Sequence, residues 1–160
     1  MLERITAIFQ SIGRERAAEG EPAFAPDDPR LAAAALMHHV IEADGILHDV
    51  ERQRFAEILQ ETYGLDDKRL GELVEAARDA DSEAVDLYQF TSVLMRSTSA
   101  DERRDLIEAL WEMVFADGEI HELEDNIVWR ISELLGVDGR DRILMRNAVM
   151  ARLSAETGGE

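Results

Sequence analysis

Two stretches of the chain place carboxylates at the same spacing, and carboxylate oxygens are the ligands that calcium and magnesium prefer in proteins. Asp44 and Glu51 stand seven residues apart in the first stretch, and Asp117 and Glu124 stand seven apart in the second. Both stretches read Ala-Asp-Gly, then five residues, then Glu, with an offset of 73 residues (117 − 44 and 124 − 51). These four acids are therefore the candidate ligands of a divalent cation.

Each stretch matches half of an EF-hand calcium loop, which carries acids at positions 1, 3 and 5, glycine at 6 and glutamate at 12. With Gly118 at position 6, Asp117 and Glu124 fall at positions 5 and 12. Positions 1 and 3 hold Met113 and Phe115, which offer no side-chain oxygen. Neither stretch alone could surround a cation. We therefore expect the fold to bring both turns into one site, where four carboxylates need a cation or arginine partners.

A purely structural interpretation of the same acids stays open. Glu51 and Glu124 fall in the first turn of a predicted helix, where the helix dipole favours negative charge. Asp44 and Asp117 follow a predicted helix, where that dipole disfavours them. A bound cation would offset this effect, and so would hydrogen bonds from the amides of an Asp-Gly turn.

Histidine stands three residues before each glutamate, at the predicted N-cap, as His48 and His121. An imidazole nitrogen would move the preference of the site towards zinc or another transition metal. Both histidines could equally be weak helix caps. His38 and His39 lie within another predicted helix, where histidine is more often a core or surface residue than a ligand. They are not among the predicted ligands.

Helical periodicity runs through the chain, and no alternating run of β-branched residues predicts a strand, so we expect an all-α fold. Ser82 is the predicted N-cap of one helix, and Ser99 with Glu102 forms a predicted capping box. The result is a single pseudo-symmetric domain of seven or eight helices with two duplicated helix–Asp-Gly turn–helix hairpins. The predicted helices span residues 2–18, 29–43, 48–63, 67–80, 83–96, 100–116, 121–135 and 139–153, with a frayed tail after them.

Residues 1–28 are predicted to be an amphipathic helix and a linker, and residues 29–160 the helical domain. Leu2, Ile5, Phe9 and Ile12 form one apolar stripe, which we expect to dock on the core, on a protein partner or on a second copy of the chain. Contact with a membrane surface is the weaker alternative, because acids dilute the basic residues of this segment.

The chain carries 35 acids against 17 lysines and arginines, a formal net charge of −18. Such a surface repels phosphate backbones, so nucleic acid is not an expected partner, whereas cations and basic proteins are attracted. Cysteine is absent, which excludes disulfides, thiolate zinc sites and thiol nucleophiles. No apolar run approaches the length of a membrane span or a signal peptide, and we expect a cytoplasmic protein.

Several catalytic patterns are missing from the sequence. The chain contains no Glu-x-x-His pair of the di-iron bundles, no H-E-x-x-H helix, no phosphate-binding glycine loop and no nucleophile elbow. Only a metal with an open coordination position could activate water, so a metal-dependent hydrolase stays as one alternative. We expect a binding module rather than an enzyme.

The duplicated Ala-Asp-Gly-x5-Glu hairpin in an acidic helical chain resembles the TerB (tellurite-resistance) family, including its TerB-like branch, over residues 30–153. The resemblance implies a helical fold of two pseudo-symmetric halves, acidic residues that bind metal, and no established catalytic activity. The positions that match the family motif are Asp44, Gly45, Glu51, Asp117, Gly118 and Glu124.

The sequence therefore predicts a non-catalytic, divalent-metal-binding module, linked by this resemblance to tellurite resistance or stress response. Calcium is the first expectation for the ion, because the glycine, apolar and glutamate positions match its loop, and magnesium, manganese and zinc stay open. The alternative is an acidic helical adaptor that binds a protein or a membrane surface without metal.

Overall fold

The structure, a computed structural model, describes residues 23–43, 45, 49–116, 118 and 121–158. This part of the chain contains helices and no strand, which confirms the all-α prediction. The predicted helix over residues 2–18 and its apolar stripe lie outside the described residues. The seven helices of the described part are α1 (Pro29–Ile41), α2 (Asp49–Tyr63), α3 (Asp67–Glu83), α4 (Tyr88–Ser97), α5 (Ala100–Val114), α6 (Glu122–Leu134) and α7 (Gly139–Gly158).

Helix α1 lies at the centre of the fold and is buried on nearly all sides. Asp28 begins it, accepting a 2.9 Å hydrogen bond from the Arg30 amide, and Pro29 takes the first helical position, where a missing N–H costs nothing. The four alanines over residues 32–35 are almost fully buried. Their small side chains let α2, α3, α4, α5 and α6 all approach α1.

The two duplicated hairpins, α1–α2 and α5–α6, pack against each other. Helix α1 contacts both α5 and α6, and α2 contacts α5, while α3 and α4 cover α1 and α7 covers α5 and α6. Trp111, stacked on Phe115 with ring centroids 5.5 Å apart, fills the centre of the second hairpin. This packing puts the first turn of α2 and the first turn of α6 within reach of one site.

The predicted start of one helix is wrong: the helix expected over residues 83–96, with Ser82 as its N-cap, begins at Tyr88. Ser82 lies inside α3, and its hydroxyl donates to the Asp79 carbonyl at 2.9 Å instead of capping a new helix. Helix α4 begins only at Tyr88, whose amide donates to the Asp86 carboxylate at 2.9 Å. Val85 lies between α3 and α4 and is 98% exposed.

The C-terminal helix is also longer than predicted, since α7 continues to Gly158 rather than ending near residue 153. No proline or glycine interrupts the residues between 153 and 157, so nothing stops the helix there. None of the described helices combines the length and the apolar composition that crossing a bilayer requires.

Candidate metal centre

The glycines of the two duplicated turns have the same backbone geometry. Gly45 has a φ of 75° and Gly118 a φ of 79°, as the Asp-Gly signal predicts. The amide of each glycine donates a 3.0 Å hydrogen bond three residues back, Gly45 to Glu42 and Gly118 to Phe115. The repeat in the sequence is therefore matched at the two described glycines, and the helix that follows each of them has a glutamate in its first turn.

The structure describes only part of the predicted ligand set. Asp44, Asp117 and His48 lie outside the described residues, and their place at the site remains a prediction. Glu51 and Glu124 are described, and both are fully buried, with 0% of either residue exposed. Each occupies the third position of its helix, Glu51 in α2 and Glu124 in α6, as predicted.

Glu51 and Glu124 come together, although they stand 73 residues apart in the chain. One oxygen of each and one ring nitrogen of His121 lie within 4.8 Å of one another. His121 Nε2 is 4.0 Å from Glu51 Oε1, and its side chain is 21% exposed. The first hairpin thus supplies Glu51, and the second supplies His121 and Glu124.

Electrostatics explains why this cluster suits a cation. The amino ends of α2 and α6 stabilise one negative charge each through their dipoles, an effect of about 0.3–1 kcal/mol. Two ionised carboxylates within 4.8 Å of each other repel strongly when water is excluded. His121 is the N-cap residue of α6, but its side chain makes no capping hydrogen bond, so the cap interpretation fails for this histidine. The carboxylates and the imidazole can instead share a divalent cation.

A second cluster, which the sequence did not predict, joins α1 to the end of α3. Asp81 contacts two adjacent histidines through its two oxygens: His38 Nδ1 and His39 Nδ1 are each 2.8 Å away. Burial alone would raise the pKa of Asp81, but the hydrogen bonds and charges of His38 and His39 outweigh it and lower the pKa to about 2. The other ring nitrogen of His38, Nε2, lies 3.2 Å from Glu42 Oε1.

Buried acids on α5 show how this fold neutralises carboxylates with arginine. Arg152 of α7 reaches Glu108 at 3.2 Å and Glu112 at 2.8 Å, and Arg54 of α2 lies 3.6 Å from Glu112. Both glutamates are about nine-tenths buried. These contacts tie α5 to α7 and α2 and account for the acids as structural ion pairs.

A protein-family model described as "Tellurite resistance protein TerB" matches residues 30–147, well over half of the chain. The match includes both hairpins and all three residues of the Glu51, His121 and Glu124 cluster. No curated protein and no solved structure matches the chain.

Proposed function

The chain belongs to the TerB family of tellurite resistance proteins, and we propose that it is a non-catalytic module that binds a divalent cation between its two hairpins. Family membership links the chain to tellurite resistance. The chemistry that the proposal assigns to it is ion binding, because the cluster offers ligands to a cation.

One observation carries the proposal: two fully buried carboxylates, Glu51 and Glu124, approach each other from different hairpins beside the imidazole of His121. Two buried carboxylates this close repel each other when both are ionised, and a divalent cation placed between them would attract both at once.

Which ion binds depends on the ligands that complete the shell. Asp44 and Asp117, if they join Glu51 and Glu124 as the sequence predicts, give an oxygen-rich site that suits calcium, magnesium or manganese. His121 adds a nitrogen, which favours manganese or zinc. His121→Ala should therefore weaken zinc binding strongly and leave calcium binding nearly unchanged if the calcium shell consists of oxygens alone.

The proposal is tested by thermal melting in chelator and in millimolar calcium, magnesium, manganese or zinc. A cation that binds only the folded state stabilises it by about 2.7 kcal/mol at 100 times its dissociation constant. We expect wild type to gain stability with at least one ion, and Glu51→Gln/Glu124→Gln to lose that gain. In chelator the double variant should be at least as stable as wild type if repulsion dominates, since the change removes two like charges.

Glu122→Gln is the matched control. Glu122 lies in the first turn of α6, as Glu124 does, but it is exposed and lies outside the cluster. It should keep the full response to the cation. Equal responses of wild type and Glu51→Gln/Glu124→Gln to every ion would reject the metal site, and an acidic adaptor without metal would then be the better interpretation. Asp44→Asn/Asp117→Asn, measured in parallel, tests the two aspartates separately.

A further inference from the structure

The histidine cluster between α1 and α3 contains an imidazole with a carboxylate at each ring nitrogen. His38 Nδ1 is 2.8 Å from Asp81 Oδ2, and His38 Nε2 is 3.2 Å from Glu42 Oε1. A neutral imidazole has a single N–H, so it can donate to one of these oxygens only. The other nitrogen then presents a lone pair to a carboxylate, unless a cation lies between them.

The Asp81 contact decides which nitrogen carries the hydrogen. Asp81 is a carboxylate with one imidazole on each oxygen, 2.8 Å from His38 Nδ1 and 2.8 Å from His39 Nδ1, and an ionised carboxylate accepts hydrogen bonds without donating any. His38 Nδ1 must therefore be the donor to Asp81. It follows that Nε2 faces Glu42 either as the second N–H of an imidazolium ion or as a lone pair available to a metal.

The geometry around Nε2 fits a metal. Two ligands of one tetrahedral zinc ion, each about 2.1 Å from it, lie about 3.4 Å apart, close to the distance between Nε2 and Oε1. A carboxylate that accepts from the far nitrogen of a ligating histidine, as Asp81 does, is the usual support of such a ligand. His38, Glu42 and Asp81 each offer an atom within 4.8 Å of the others.

The site is also accessible. His38 and Glu42 both line a cleft of about 510 Å³, and the Glu42 side chain is 44% exposed. A cation between them would therefore lie at the wall of this cleft, where water can complete its coordination. The side chains of His38 and Asp81 are only 10% and 9% exposed, so the imidazole is held in place before any ion arrives.

We propose that His38 and Glu42 form a second metal site, which binds zinc or a similar transition ion at the wall of this cleft, with Asp81 as its positioning residue. The imidazole nitrogen and the single carboxylate distinguish it from an oxygen-rich calcium site. The nitrogen would bind the metal through its lone pair, and wherever Nε2 carries a proton, that proton would be released to solvent on binding. The site shares no residue with Glu51, His121 and Glu124 and does not depend on the function proposed for them.

The decisive measurement is a long-range ¹H–¹⁵N spectrum of the histidine rings in chelator and with added zinc. The chain has four histidines, and His38→Gln identifies the signals of His38. We expect zinc to move Nε2 of His38 to the shift of a metal-bound nitrogen while Nδ1 stays protonated. A His38 ring that stays doubly protonated in saturating zinc would overturn the proposal, because a proton alone would then explain the contact with Glu42.

Zinc titrations of matched variants give the second readout. His38→Gln and Glu42→Gln should each weaken this site about tenfold or more, and Asp81→Asn should weaken it by about 10–100-fold, as expected for a residue that supports a ligand. His39→Gln is the control, since His39 also contacts Asp81 but is not in the ligand cluster. Its zinc affinity should stay near that of wild type.

Two further results separate this site from the first one. Glu42 is exposed enough that Glu42→Gln should fold normally, and melting in chelator verifies this. The zinc response of His38 should persist in Glu51→Gln/Glu124→Gln. Loss of the His38 response in that variant, or equal zinc affinity in Glu42→Gln and wild type, contradicts a second site.

Discussion

At the residue scale, the backbone conformation explains why both turns of the motif contain a glycine. Gly45 and Gly118 both have positive φ, and a Cβ added at either would meet no atom within 4 Å. Space is therefore available for alanine, and the cost of a side chain comes from the left-handed conformation alone. This separates the role of the glycines from that of the acids around them.

We expect Gly45→Ala and Gly118→Ala each to lower the free energy of unfolding by about 1 kcal/mol or more, the usual cost of a left-handed position. Gly71→Ala is the opposite control. Gly71 lies inside α3, and a Cβ added there would likewise meet no atom within 4 Å, so alanine should stabilise by about 0.5–1 kcal/mol. Urea unfolding in chelator measures all three, and a shift of the same sign in all of them would contradict the backbone explanation.

The site residues differ in how far the sequence could predict them. Glu51 and Glu124 were predictable because a repeat with one offset puts equivalent residues in equivalent places, and the structure brings the two together. The contact of Asp81 with His38 was not predictable, because the two residues are 43 apart and meet only through the packing of α1 on α3. The four-residue spacing of His38 and Glu42 on a helix was the one visible signal.

At the element scale, helix starts depend on capping more than on the apolar pattern. Ser99 caps α5 in a full capping box: its hydroxyl accepts from the Glu102 amide at 3.2 Å, and the Glu102 carboxylate accepts from the Ser99 amide at 3.1 Å. Ser82 has valine, not glutamate, three residues on and could not form such a box. The prediction was confirmed where both halves of the motif were present and failed where only the serine was.

The two serines give a direct test at this scale. Ser99→Ala should lower the free energy of unfolding by about 1 kcal/mol, because α5 loses its cap and the helix carries much of the core. Ser82→Ala should change the free energy of unfolding by a few tenths of a kcal/mol at most. The Ser82 hydroxyl is exposed and donates its hydrogen bond to a carbonyl inside α3. Thermal melts of both variants measure the difference, and equal losses would mean that Ser82 supports the start of α4 after all.

At the scale of the whole molecule, the net charge of −18 acts on every part of the surface. The described ion pairs on α5 neutralise a few buried acids, but 35 acids against 17 basic residues leave a large excess. Repulsion between the surface acids therefore destabilises the compact folded state, whether or not any local site binds an ion. Such repulsion depends on ionic strength and not on the identity of the ion.

We expect sodium chloride, in chelator, to raise the melting temperature steadily between about 0.05 M and 0.5 M, as the screening length shortens from about 14 Å to about 4 Å. The melting temperature of Glu51→Gln/Glu124→Gln should rise in parallel with that of wild type, because screening acts on the whole surface. A melting temperature that falls with salt would show that local ion pairs such as Arg152 with Glu112 outweigh the general repulsion. The same series is the baseline against which a specific divalent response must be judged.

The all-α fold was predictable from periodicity and from the repeat, because each hairpin carries its own turn glycine and its own apolar helices. The covering helices were harder to predict, since they lie outside the repeat: the start of α4 follows a hydrogen bond from the Tyr88 amide to Asp86, and α7 continues to Gly158. The docking of the apolar stripe on residues 2–18 stays a prediction, because these residues lie outside the described part of the chain.

The two buried glutamates belong to different hairpins of one chain, and this determines how their pairing depends on protein concentration. A chain of half this length would contain a single hairpin and a single glutamate of the pair, and could assemble both only by meeting a second copy of itself. Occupancy of such a paired site would fall as the protein was diluted. Because both hairpins belong to one chain, each glutamate meets the other at a fixed effective concentration, and the pair forms at any protein level in the cell.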